Sequence, residues 1–171
     1  NPSWRKLGFP DYRARVPLHL SLVLAFRIWL QLSHPVAGNV ADEVAHIRET
    51  WNPDQLWYAD DVFSINKKWL RRYADALTER NLHLPFETIT REDRLDDETI
   101  DILATMGCYR LWVGAESGSQ KILDAMDRRT DANRMRIIIA KLQARGIRVG
   151  TFIMFGYIGE TWSDLNETHD H

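Results

Sequence analysis

The residues of this sequence that could do chemistry stand at or just past the ends of short β-rich runs: Asp60, Asp61, Arg91, Glu116, Ser117, Gly156 and Glu160. The adjacent carboxylates Asp60-Asp61 suit a metal ion or ribose hydroxyls. One of them could instead cap the segment beginning near Ser64, although a single cap needs only one acid. Arg91 offers a planar fork for a ligand carboxylate, or it pairs locally with Glu92 or Asp93. In Gly114-Ala115-Glu116-Ser117-Gly118, two glycines let the backbone approach a ligand while Glu116 accepts hydrogen bonds from hydroxyls. The plainer reading is a strand-to-helix turn capped by Ser117. Gly156-Tyr157-Ile158-Gly159-Glu160 repeats the arrangement, with glycines at a strand end and an acid at a helix start. Glu87 lies inside a strand, where a carboxylate is expected to face a polar interior.

Other groups point away from chemistry. Cys108 is the only cysteine, with no histidine patterned to activate it, and is expected to be a small buried apolar residue. One cysteine excludes an intrachain disulfide framework and any cluster or zinc site built from several cysteines of this chain. His169 and His171 form an H-x-H at the chain end. The formal net charge of −2 gives no general attraction to nucleic acid or to anionic membrane.

The elements that must position these residues follow from periodicity. Asn39 to Thr50 reads as a helix with Val40, Val44 and Ile47 on one stripe, and Lys67 to Arg80 as another with Trp69, Leu70, Tyr73, Ala74 and Leu77 on its apolar face. Asp96 to Met106, stopped by Gly107, is a third. Gln120 to Met126 and Asp131 to Arg145 follow, and Thr161 caps a last helix. Between them, Leu56 to Ala59, Pro85 to Ile89, Tyr109 to Val113 and Ile147 to Phe155 read as strands. Trp57, Tyr58, Trp112 and Phe152 are expected to be barrel or helix-packing core. Strands alternating with helices predict stacked βα units, and right-handed crossovers make the strands parallel. The strand C-terminal ends, where ligands bind in such sheets, then share one rim.

With 171 residues and 44% apolar content, the chain has a core but is short for an eight-unit barrel of roughly 250 residues. Before Ala37–Gly38 its character differs, with Pro2, Pro10, Pro17 and Pro35 and no clean period. Leu18 to Leu32 imitates a signal segment, but His19 and Arg27 interrupt it and it falls short of the ~20 residues of a spanning helix. A cytoplasmic protein without membrane insertion is the expectation.

The runs WYADDVFSIN, FETITREDRL, MGCYRLWVGAESGSQKILDAM and GIRVGTFIMFGYIGET resemble the catalytic barrel of radical S-adenosylmethionine (SAM) proteins. The nearest group often carries an upstream cobalamin-binding domain and includes the anaerobic magnesium-protoporphyrin ester cyclase-like enzymes. The likeness covers residues 38–171 and implies an α/β fold: a partial TIM-type (βα)6 barrel fragment with parallel strands and outer helices. It implies SAM bound to a [4Fe–4S] cluster at the mouth, reductive cleavage to a 5′-deoxyadenosyl radical, and a small-molecule substrate. Cobalamin belongs to full-length relatives. By similarity, Asp60 and Asp61 lie at the mouth and Arg91 faces the SAM carboxylate. Glu116 and Ser117 hold the ribose or amino-acid part, and the stretch from Gly150 through Gly156 to Glu160 lines the adenine and methionine parts.

The family's three cluster cysteines, spaced C-x3-C-x2-C, belong in the loop after the first strand, a little before Gly38. Here that region reads LHLSLVLAFRIWLQLSHPVAGNV and contains no cysteine. The expectation is a cluster-less chain in which SAM would be inert, with residues 1–37 a divergent segment arising from a shifted reading frame or, alternatively, a genuine replacement. A non-catalytic SAM- or substrate-binding module is the competing reading. The third is a cluster-free barrel enzyme using Glu116 and Asp61 as acid and base. Missing barrel units or an upstream cobalamin-binding domain would complete full-length relatives.

Overall fold

A computed structural model describes Ser21–Leu24 as backbone and residues 36–170 in full. The rest of the expected divergent segment, most of Leu18 to Leu32, and His171 lie outside the described residues. The order is β1 (Ser21–Leu24), α1 (Ala37–Trp51), β2 (Gln55–Tyr58), α2 (Lys67–Glu79), β3 (Phe86–Thr90), a 3-10 turn (Glu92–Arg94), α3 (Asp97–Met106), β4 (Cys108–Glu116), α4 (Gln120–Ala125), α5 (Ala132–Ala144), β5 (Arg148–Ile153) and α6 (Trp162–His169). The five strands form one parallel sheet in the order β1-β2-β3-β4-β5. This is a partial TIM-type barrel, with one strand more than periodicity predicts: Ser21–Leu24 pairs with Gln55–Tyr58.

Local chemistry explains where the helices start and stop. Asn66 caps α2 by accepting from the Trp69 N–H at 3.1 Å, and Asp96 caps α3 by accepting from the Thr99 N–H at 2.8 Å. Gly107 ends α3 at φ 97, and an added Cβ would meet the Leu84 carbonyl oxygen at 3.3 Å, so conformation and space both require glycine. At α6, Thr161 and Asp164 form a capping box. Asp164 also accepts from Lys121 Nζ (2.7 Å) and Ser119 Oγ (2.9 Å), clamping α6 to α4. The Lys121 ammonium, then the Thr161 donors, hold its carboxyl well below the usual carboxylate range.

The helices cover one face of the sheet. Leu56, Tyr58, Phe86, Leu111 and Val113 point that way and pack with Val40, Val44, Leu70, Tyr73, Ile100, Leu103 and Leu142. The Tyr58 and Tyr73 hydroxyls meet at 2.6 Å within this layer, and burial raises the pKa of both. Alternation along the strands puts Trp57, Glu87, Trp112, Gly114, Gly150 and Phe152 on the opposite face, the one a barrel turns inward.

Candidate functional site

β4 carries the centre of the rim. It runs three residues further than expected and ends at Glu116, which has φ 60, a left-handed conformation uncommon for a residue with a side chain. The Ser117 N–H donates to the Ala115 carbonyl at 2.7 Å, closing a three-residue turn around Glu116. With a positive φ at its centre, this is the rare, strained kind of γ-turn. The Met154 N–H fastens it to the segment after β5 by donating to the Glu116 carbonyl at 2.8 Å. Strain of this kind persists only where the surroundings over-determine it, and it gathers at ligand sites.

The Glu116 carboxylate meets Arg128 at 2.8 Å. Gly114 makes this possible, since a Cβ there would stand 2.9 Å from Glu116 Oε1 and 3.2 Å from an Arg128 nitrogen. Arg128 sits between two left-handed residues, Asp127 (φ 50) and Arg129 (φ 53). Its loop is pinned to the end of β3 by buried Thr130, whose hydroxyl donates to buried Glu92 at 3.0 Å. Glu116, Arg128, Met126, Met154 and Tyr157 line an open cavity of about 240 Å³. Sequence reasoning missed Arg128. The available signal was a cation opposite an acid flanked by glycine, but a helix separates the two along the chain.

The other expected residues are placed as follows. Asp60 is buried and Asp61 exposed after β2, so the two acids do not present one paired face to solvent. Arg91 is exposed and grips Asp93 (Nε to Oδ1 2.9 Å), the local pairing weighed as its alternative. Ser117 is buried, and its hydroxyl lies 3.0 Å from that of Thr168 while accepting from the Ser119 N–H at 3.1 Å. It therefore ties the turn to α6. Gly156 (φ 82) donates its N–H to Glu160 Oε2 at 2.6 Å, folding that carboxylate back onto its own loop. The second oxygen, Oε1, is buried without a hydrogen-bond partner. Glu116 pairs with Arg128, while Asp61 stands exposed in the turn after β2.

Cys108 is buried at the start of β4, at the far end of the strand from the rim. Its thiol donates to the Arg110 carbonyl, and burial pushes its pKa up to about 12. Among the described residues no group of three or more His, Cys, Asp or Glu could hold a metal ion, and no helix is long and apolar enough to cross a membrane.

This stretch is 26% identical to cytidylyl-2-hydroxyethylphosphonate methyltransferase of Streptomyces wedmorensis, over 90% of this chain and 30% of that protein. It is 21% identical to the anaerobic magnesium-protoporphyrin IX monomethyl ester cyclase of Rubrivivax gelatinosus, over 98% of this chain and 31% of that one. The chain thus spans about three-tenths of the length of these relatives. Among solved structures, the radical SAM methyltransferase TsrM of Kitasatospora setae superposes with a TM-score of 0.68 at 20% identity, covering 78% of this chain and 27% of that one. Residues 34–171 match the radical SAM superfamily, and the chain belongs to that family.

Proposed function

We propose that this chain forms the SAM-binding part of a radical SAM barrel, and that its own residues do not hold the [4Fe–4S] cluster on which reductive cleavage depends. The strained Glu116 turn, closed on Arg128 at the mouth of the sheet, is the observation that carries this reading. SAM presents a carboxylate, an ammonium and ribose hydroxyls. The Arg128 guanidinium suits the first, and the Glu116 carboxylate suits the ammonium or the hydroxyls. The ion pair between them holds both side chains ready and is exchanged for ligand contacts. Met126, Met154 and Tyr157 supply apolar walls.

The cluster does not fit the residues present. Its irons need thiolates. The one cysteine is buried away from the rim with its thiol held protonated, and the residues between β1 and α1, AFRIWLQLSHPV, contain none. Bound SAM is therefore inert in this chain alone, which acts as a binding module in a reducing, cytoplasmic setting. A small-molecule substrate and, where relatives use it, cobalamin are assigned to the full-length assembly.

Two measurements test the reading. Reconstituted anaerobically with iron and sulfide, the chain is expected to show no [4Fe–4S] absorbance. A stoichiometric cluster would overturn the cluster-less reading. In equilibrium dialysis SAM is expected to bind weakly, and Glu116→Ala to weaken it further by about 1.5–3 kcal/mol, the worth of a hydrogen bond to a charged group. Binding undetectable at millimolar SAM, or unchanged in Glu116→Ala, would sink the SAM assignment.

A further inference from the structure

A turn as strained as the one at Glu116 has to be held on both sides. Toward β5, the Met154 N–H fastens the Glu116 carbonyl at 2.8 Å. On the other side the chain runs into α4, and there Ser117, Gly118, Ser119 and Lys121 each bond to α6. Two residues of α6 receive these bonds. Asp164, near its start, takes Ser119 and Lys121, while Thr168, near its end, meets Ser117 and Gly118. α6 thus lies along the exit from the turn as a splint.

The Thr168 hydroxyl has a single proton. It goes to the Asp164 carbonyl at 2.9 Å, the bond a helical threonine makes to the residue four before it. Toward the turn, the hydroxyl oxygen therefore acts as an acceptor. It takes the Gly118 N–H at 3.0 Å and the Ser117 O–H at 3.0 Å, while Ser117 Oγ takes the Ser119 N–H at 3.1 Å. Ser117 is 1% exposed, so water replaces a lost acceptor there only if the turn opens. Without that acceptor the constraint at the exit is lost. Glu116 then relaxes from φ 60 toward an ordinary negative φ, which carries its carboxylate away from Arg128.

We propose that α6 positions the Glu116 turn, with Thr168 as the positioning residue, so that ligand affinity at the Glu116–Arg128 cavity is set in part by a helix that does not line it. This rests on the SAM reading only for the ligand with which that affinity is measured.

The test uses the full chain and two readouts, amide hydrogen exchange without ligand and equilibrium dialysis with SAM. Thr168→Val is expected to speed exchange at the Ser117 and Met154 amides, which close and fasten the turn, about tenfold more than at Leu103 in the core of α3. SAM affinity should fall by about the same factor, since the turn must be re-formed on binding. Thr168→Ser keeps the acceptor and should restore both. Thr105→Val removes a hydroxyl that makes the same backbone bond on α3, to the Asp101 carbonyl, and should change neither. If Thr168→Val fails to fold, Lys121→Met, at a side chain 58% exposed, cuts a tie to Asp164 and should shift both readouts in the same direction. The exchange rates need no ligand, so they decide the positioning role even where SAM does not bind, and only the SAM reading then falls. Exchange that is unchanged, or faster by the same factor at Leu103, would overturn the proposal. So would SAM binding that responds to Glu116→Ala but not to Thr168→Val, which leaves the SAM reading standing.

Discussion

Phe86→Ala is expected to lower the unfolding free energy by about 3–5 kcal/mol, the usual cost of emptying a large aromatic site in a core. In a domain of this size that corresponds to a fall in Tm of roughly 10 °C. Phe86 is 1% exposed and packs edge-on against Tyr58 at 4.9 Å and, tilted, against Phe63 at 5.9 Å. Those rings in turn meet Tyr73 and Trp69 of α2, so the ring of Phe86 supports one continuous aromatic layer between β2, β3 and α2. Little can collapse into the space, because Tyr58 and Tyr73 are held by their hydroxyl contact and their neighbours are rings with few rotamers. Phe152→Ala, which removes a half-exposed ring from the inward face, should cost no more than about 1 kcal/mol. Chemical denaturation of the two variants decides the matter. A Phe86→Ala cost below about 1.5 kcal/mol would mean that this layer is not where the fold's stability resides.

The difference between those rings also shows what the sequence makes legible. Residues that pack within one layer announce themselves by period: the stripe Trp69, Leu70, Tyr73 and Leu77 locates α2, and Asp96 with Gly107 brackets α3 almost to the residue. Parallel strands and a common rim followed from the alternation of elements. β1 was not legible, because Ser21–Leu24 sits in a longer apolar run where periodicity cannot separate strand from helix. The end of β4 was misjudged because Gly114 reads as a breaker. In the structure its missing side chain is what the Glu116–Arg128 pair requires, so the strand continues through it.

At the rim, Glu116 stood out by its flanking glycines, and the structure gives it a strained turn. Arg128 and Thr168, the residues that meet Glu116 and Ser117, did not stand out. Both are brought in by the fold from beyond intervening helices, and neither belongs to a local pattern. Cys108 and Glu87 behaved as their positions suggested, one a buried thiol and the other an interior carboxylate. Strand alternation settles which face a residue occupies but not the partner it finds there. That limit is why Arg91, correctly placed at the rim, is turned to Asp93.

Glu87→Leu is expected to cost about 2–3 kcal/mol and to loosen the inward face. The carboxylate accepts from Tyr109 Oη at 2.8 Å, from Trp112 Nε1 at 2.9 Å and from Arg110 at 3.3 Å. Its loss leaves the indole donor without an acceptor in a partly buried site, which costs about 1–3 kcal/mol. Tyr109 suffers less, because its hydroxyl also lies 2.8 Å from Gln55 Oε1 and can give its one proton to that acceptor instead. Burial, then the Glu87 carboxylate, push that phenol up to about 12, so it remains a donor at neutral pH. The Arg110 side chain is 35% exposed and can turn to water, so little of the cost comes from its charge. Glu87→Gln keeps a carbonyl acceptor and should cost about 1 kcal/mol at most. The indole donor is the dominant cause if a double-mutant cycle shows coupling: Trp112→Phe removes the donor, so Glu87→Leu should cost at least about 1 kcal/mol less in that background. Additive costs would mean that Glu87 stabilises the fold through its other two partners and does not hold Trp112 in place.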